Sequence, residues 1–251
     1  GDIHGALALM GWDQEVYMPR KGAATRGRQL ATLSGMAHTR FISEEMGQAI
    51  ERAGSEELTI DQHVNLREIT WSHKRAEKLP TSLVKALAET SSAAIEVWMQ
   101  ARANNDFPSF APWVEKLVKL QKESAEAIGY ENEPYDALLE EYEPGASTQD
   151  IADVFEALRG PTVDLVQRIQ NSEFKPRTDF LKKTYPIEDQ RRFGVMVSKQ
   201  MGFDYEAGRL DISPHPFCTH MGVQDVRLTT RYAEDLPAQS LYGIIHETGH
   251  G

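Results

Sequence analysis

The sequence has 251 residues, 40% hydrophobic and 26% charged, a globular balance that excludes a disordered or fibrous chain. Its formal net charge of -11 repels phosphate backbones and argues against nucleic acid as a partner, and no local basic patch offsets it. One cysteine, Cys218, excludes an internal disulfide framework and fits a reducing, cytoplasmic compartment, while no run approaches the ~18 apolar residues of a membrane span.

The opening Gly1-Asp2-Ile3-His4-Gly5 lacks the basic and apolar regions of a signal peptide. The chain starts without Met and stops one residue after His250, so both ends read as cut. A single, incomplete helical domain over 1–251 is therefore expected. From Lys21 to about Asn104, runs rich in Ala, Leu, Glu, Arg and Gln predict long helices over 22–38, over 60–78 and after Pro80, the last placing Leu83, Leu87, Ile95 and Trp98 on one face. Asn104-Asn105-Asp106-Phe107-Pro108 breaks the pattern, and a periodic run from Trp113 to Ala127 predicts another helix, stopped by Gly129. Further helices are predicted over 148–170 and 188–201, with a loop over 171–186 between them.

After Gly202 the texture changes. Short alternating pieces at 209–212 and 226–232 predict a small sheet within about 205–234. Pro237 then opens a final helix, 237–251, through Leu241, Ile244 and Ile245.

That helix carries His246-Glu247-Thr248-Gly249-His250. Residues four apart share a helical face, so His246 and His250 can aim imidazole nitrogens at one ion. Glu247, beside them, suits the role of general base toward a metal-bound water attacking a carbonyl. Zinc is the expected ion for two neutral imidazoles plus a carboxylate, with cobalt or manganese as substitutes. Leu241, Ile244 and Ile245 form a separate apolar back that anchors the helix.

Three segments in series, His215-Pro216-Phe217, Asp225-Val226-Arg227-Leu228-Thr229 and His246-Glu247-Thr248-Gly249-His250, resemble the signature of the M32 carboxypeptidases, the carboxypeptidase Taq family. Gly11-Trp12-Asp13-Gln14 with Met18-Pro19, Tyr135-Asp136-Ala137-Leu138-Leu139, Tyr142-Glu143-Pro144-Gly145 and Gly208-Arg209-Leu210-Asp211 agree with it, so the resemblance covers essentially the whole chain. It implies a mainly α, neurolysin-like helical zincin with a small β-sheet beside a deep groove, usually a homodimer, that removes residues singly from peptides with a free C-terminus. It also implies His246 and His250 as zinc ligands and Glu247 as general base. The family's third ligand, a glutamate on a later helix, and its arginine motif for the substrate carboxylate are expected to lie beyond this chain, leaving it inactive alone. Substitution of that ligand by His215, Cys218, His220 or Asp225 is not selected by their spacing.

Asp225 has two readings, an acceptor for the second N–H of a ligand histidine or an ion pair with Arg227 or Arg231. Arg227 is a candidate substrate contact. Asp225, Arg227 and Thr229 are expected on one strand face. His215, held extended by Pro216, is either a contact to substrate or to the zinc helix, or a turn histidine bonded to backbone. Two other functions remain open: a related zinc endopeptidase, and a non-catalytic helical binding module.

Overall fold

The structure, a computed structural model, describes residues 1–251 apart from the side chain of Lys182. Its helices are α1 (Asp2–Val16), α2 (Ala23–Phe41), α3 (Glu44–Ala53), α4 (Ile60–Lys78), α5 (Thr81–Asn104), α6 (Phe107–Ile128), α7 (Pro134–Leu139), α8 (Thr148–Asn171), α9 (Ile187–Gln200) and α10 (Pro237–His250). Strands β1 (Gly208–Ile212), β2 (Cys218–Gly222) and β3 (Asp225–Thr230) lie between α9 and α10. The mainly α fold with one small sheet is the expected one, and no helix among the described residues is long and apolar enough to cross a membrane.

Each expected helix is present. The one expected from Trp113 begins earlier, at Phe107, because Pro108 falls in its first turn, where a missing N–H leaves no bond unmade. The break before it shrinks to a tight turn in which Asn105 takes φ 53°, a left-handed conformation that asparagine tolerates. Helices α1, α3 and α7 were not legible. In α1, Gly5 and Gly11 weaken the helical signal. Gly5 has a packing reason, since a Cβ there would run into the main-chain oxygen of Met221 on β2.

The chain divides into two compact units. One comprises Ser34–Ala94 and Phe107–Lys175. Its helix starts are capped by side chains: Ser43 accepts the Met46 N–H, Thr59 forms a reciprocal capping box with Gln62, and Ser147 forms another with Asp150. His38, buried near the end of α2, donates from Nε2 to the Ala76 carbonyl at 3.0 Å, so its Nδ1 accepts from the Thr81 hydroxyl at 2.9 Å. A small apolar cluster of Ala125, Ile128 and Ala137, with Leu79 and Leu138 packed on it, joins α6 to α7.

The other unit comprises Gly1–Leu33, Ile95–Asp106 and Pro176–Gly251, and holds the sheet and α10. Strand order is β1-β3-β2, with β1 parallel and β2 antiparallel to the central β3. The strand expected over 226–232 is found as β3, and β2 was missed because Cys-Thr-His-Met-Gly lacks a β-branched alternation. Alternate residues of β3 divide between its faces. Leu228, fully buried, and Thr230, whose hydroxyl donates to the Ser240 carbonyl at 3.3 Å, face α10.

Helix α10 is held from its other side by α9. Ile244 is fully buried, and Gly194 on α9 makes room for it, since a Cβ there would strike the Ile244 Cδ1. A buried polar clasp adds direction. The Gln190 amide donates to the Tyr185 and Ala233 carbonyls at 2.8 and 2.9 Å, and its oxygen accepts the Ser240 hydroxyl at 2.7 Å.

The turn from β1 into β2 is tied to the sheet by Thr229. Its buried Oγ1 lies 2.7 Å from the Ser213 hydroxyl oxygen, within hydrogen-bond distance, and accepts the Phe217 N–H at 2.9 Å, while the Thr229 N–H donates to the Phe217 carbonyl at 2.9 Å. Two stability predictions follow from these contacts. Ile244→Ala should cost ~2–5 kcal/mol in urea unfolding through the cavity it leaves. Thr229→Val keeps the shape but leaves the Phe217 N–H without its acceptor, at about 1–3 kcal/mol, so its midpoint in the same assay should fall below that of an exposed Thr→Val control.

Candidate metal centre

Pro237 starts α10, and the burial of Ser240, Ile244, Glu247 and Thr248 fixes which way the helix is rotated. The opposite side presents His246 and His250 to solvent. Their rings stand edge to face, with centroids 4.9 Å apart and an interplanar angle of 84°, and their Nε2 atoms are 3.3 Å apart. Two nitrogens bound at ~2.0–2.1 Å to one tetrahedral ion lie about 3.3–3.4 Å from each other. The donor pair therefore fits a zinc-type ion without moving. Among the described residues, no cluster of three or more His, Cys, Asp or Glu side chains suited to a metal is present.

Glu247 sits one residue along but turned inward, 6% exposed. Its charge reaches β2, where, after burial, it is the second influence raising the Cys218 thiol above its ordinary pKa. On the same strand His220 donates from Nε2 to the His250 carbonyl at 3.1 Å and lies 3.7 Å from Cys218 Sγ. Their spacing in the sequence selected neither as a ligand, and nothing in it shows that β2 passes alongside α10. On the α9 side, an apolar cavity of about 520 Å³ includes Phe180, Phe193, Leu241 and Tyr242 in its lining. Tyr242 stands one helical turn before His246.

Asp225, Arg227 and Thr229 share the face of β3 turned away from α10. The Asp225 carboxylate pairs with Arg227, receiving Nη2 at 2.9 Å and Nε as well, and this guanidinium holds the Asp225 carboxyl below its ordinary range. Of the two readings open for Asp225, the ion pair with Arg227 is the one formed. Arg227 also lies over the Trp12 ring of α1, 4.6 Å from its centroid.

Directly opposite Arg227 in the parallel register stands Arg209, a like-charge pair that on its own is unfavourable. It is neutralised locally. Arg209 is bidentate to Asp211 at 2.6 and 2.7 Å, lies 5.4 Å from the Trp12 centroid, and donates to the Tyr17 hydroxyl, which itself donates to Asp211 at 3.0 Å. Trp12 is thus a platform shared by two guanidinium groups. The signal for this cluster was present in Gly11-Trp12-Asp13-Gln14 and Gly208-Arg209-Leu210-Asp211, but the pairing of α1 with the sheet was not.

His215 is exposed, donates from Nδ1 to the Pro216 carbonyl at 2.6 Å, and receives the Ser213 hydroxyl on its own carbonyl. This is the backbone-bonded turn histidine. Nearby on α1, burial raises the Glu15 carboxyl above its usual pKa, and the charge of His215 partly offsets that rise. Pro216 packs close to Gly243 of α10, so the turn contacts the helix through the proline.

The model of the carboxypeptidase Taq (M32) metallopeptidase family matches residues 1–251. Thermostable carboxypeptidase 1 of Thermus thermophilus is 37% identical over 257 residues, covering 97% of this chain and 50% of its own. A solved structure named BsuCP superposes with a TM-score of 0.94 at 31% identity, covering 99% of this chain and 50% of that one. The structure of Pyrococcus furiosus carboxypeptidase described as Apo-Mg gives a TM-score of 0.82 at 35% identity over the same shares. The chain spans about half the length of the curated relatives it matches. With the family model matching end to end, the chain belongs to the carboxypeptidase Taq (M32) metallopeptidase family.

Proposed function

We propose that these residues form the metal-binding part of a zinc metallocarboxypeptidase that releases single residues from peptides with a free C-terminus. The observation that carries this reading is the convergence of His246 and His250 Nε2 on α10, at the separation of two ligands on one tetrahedral ion. Imidazole donors favour zinc over magnesium, which prefers oxygen ligands in octahedral geometry. Residues 1–251 are taken as part of one metallopeptidase domain, which the full-length match of the family model supports. The remaining metal ligand and the group that clamps the substrate carboxylate are assigned to the other half of an M32-length polypeptide, since the described residues offer no three-ligand cluster.

In this reading His246 and His250 hold the ion, which supplies when bound a water of lowered pKa and polarisation of the scissile carbonyl. The Glu247 carboxylate takes the proton from the attacking water and delivers it to the leaving amine nitrogen. Its burial keeps bulk water from competing for that proton, and the clamping of α10 by Ile244 and the Gln190–Ser240 bond fixes where the carboxylate points. His215, Asp225, Arg227 and Thr229 act in this reading as supports. Thr229 holds the turn whose Pro216 lies close to Gly243, and the Asp225–Arg227 pair anchors β3 against Trp12. The lone thiol fits a reducing, cytoplasmic setting.

The test is mass spectrometry of the products that a zinc-loaded, M32-length polypeptide carrying this sequence makes from a short synthetic peptide. A ladder of products each one residue shorter at the C-terminus is expected, abolished by amidating the peptide and slowed ~10²–10⁴-fold by Glu247→Gln. Internal fragments would transfer the reading to an endopeptidase. No cleavage at all would contradict both.

A further inference from the structure

Helix α4 turns a basic face toward its neighbours. Trp71, Lys74, Arg75 and Lys78 are spaced by three and four residues, which puts all four on the side of the helix where a packing helix ordinarily carries apolar residues. With the end of α6 and with α7 they line a cavity of about 310 Å³, within the size range of small-molecule sites. The cavity lies wholly inside the unit formed by Ser34–Ala94 and Phe107–Lys175.

The charges around it divide into engaged and free. Lys78 donates from Nζ to the Ile128 carbonyl at 2.7 Å and so closes the last turn of α6. The two carboxylates of the lining are engaged as well. Asp136 accepts the N–H and the hydroxyl of Thr148 at 2.6 and 2.5 Å, and Glu140 accepts the Gly145 N–H at 3.0 Å. Lys74, by contrast, is exposed and makes no hydrogen bond or ion pair among the described residues. The Arg75 side chain is only 14% exposed, yet its one ion contact, from Nη2 to the exposed Glu141, is 3.8 Å long and beyond hydrogen-bond reach. A guanidinium has five donors, and these are left for an acceptor from outside the chain.

Aromatic surface lies beside those donors. The Arg75 guanidinium sits 5.8 Å from the Trp71 ring centroid, and the partly exposed Tyr130 lines the same cavity with its hydroxyl turned to Glu126. Cations next to an aromatic wall suit an anionic group carried on a flat body, and several cations together favour a doubly charged one. The cluster is too small to offset the net charge of -11 along a nucleic-acid backbone, but one phosphate needs no more. We propose that this cavity binds a small organic phosphate of mononucleotide size, its phosphate held by Lys74, Arg75 and Lys78 and its flat body against Trp71 and Tyr130. The site goes beyond the proposed reaction and involves no residue assigned to the metal centre.

Calorimetric titration of a zinc-loaded, M32-length polypeptide carrying this sequence tests it, with adenosine monophosphate and inorganic phosphate as probes. The nucleotide should bind one to one with a Kd below about 1 mM, and at least about tenfold more tightly than inorganic phosphate, which offers the charge without the flat body. Lys74→Glu alters an exposed side chain without partners, so the fold should persist while nucleotide affinity falls about tenfold or more; His246→Ala should leave that affinity unchanged. No saturable binding, a nucleotide no tighter than phosphate, or an affinity unmoved by Lys74→Glu would overturn the proposal. Binding lost in His246→Ala but kept in Lys74→Glu would place the phosphate at the metal centre and equally overturn it.

Discussion

The rotational setting of α10 is the constraint on which the site depends. A helix carrying two histidines four residues apart places both on one face, but it turns that face usefully only if its back is pinned. Here the pin is Ile244, fully buried in the space left by Gly194, together with the bond from Ser240 to Gln190. Apolar burial supplies the driving force, while the directional hydrogen bonds select one rotation, since a turned helix would strand the buried Ser240 and Gln190. The exposed histidines and the inward Glu247 are two consequences of that one orientation.

A second constraint holds the sheet in place. Parallel pairing of β1 with β3 puts Arg209 opposite Arg227, and the sheet tolerates this because each guanidinium has its own carboxylate two residues away and both share the face of Trp12. The arrangement fixes α1 against the face of β3 that α10 leaves free. A short sheet with few buried residues thereby gains a layer on each side, α1 on one and α10 on the other.

Much of this was legible in the sequence, for identifiable reasons. Long helices with periodic apolar positions and capping residues announce themselves, and so does the His246-Glu247-Thr248-Gly249-His250 segment, because its chemistry is local to two helical turns. What was not legible depends on contacts distant in sequence. Helix α1 was obscured by Gly5, which is glycine because β2 passes close to it. Cys218 and His220 gave no sign of lying beside α10, and Asp225 gave no sign of choosing Arg227 over a ligand histidine. The apolar periodicity of α8 was legible as a helix, but not that its apolar side chains are exposed within the described structure.

The central claim is that α10 presents two imidazoles to one metal ion, and zinc K-edge X-ray absorption of the 251-residue chain with one equivalent of zinc tests it most directly. The account predicts two imidazole scatterers at ~2.0 Å with light-atom donors completing the shell, falling to at most one in His246→Ala. A sulfur scatterer at ~2.3 Å from Cys218, or a zinc environment unchanged by His246→Ala, would contradict it.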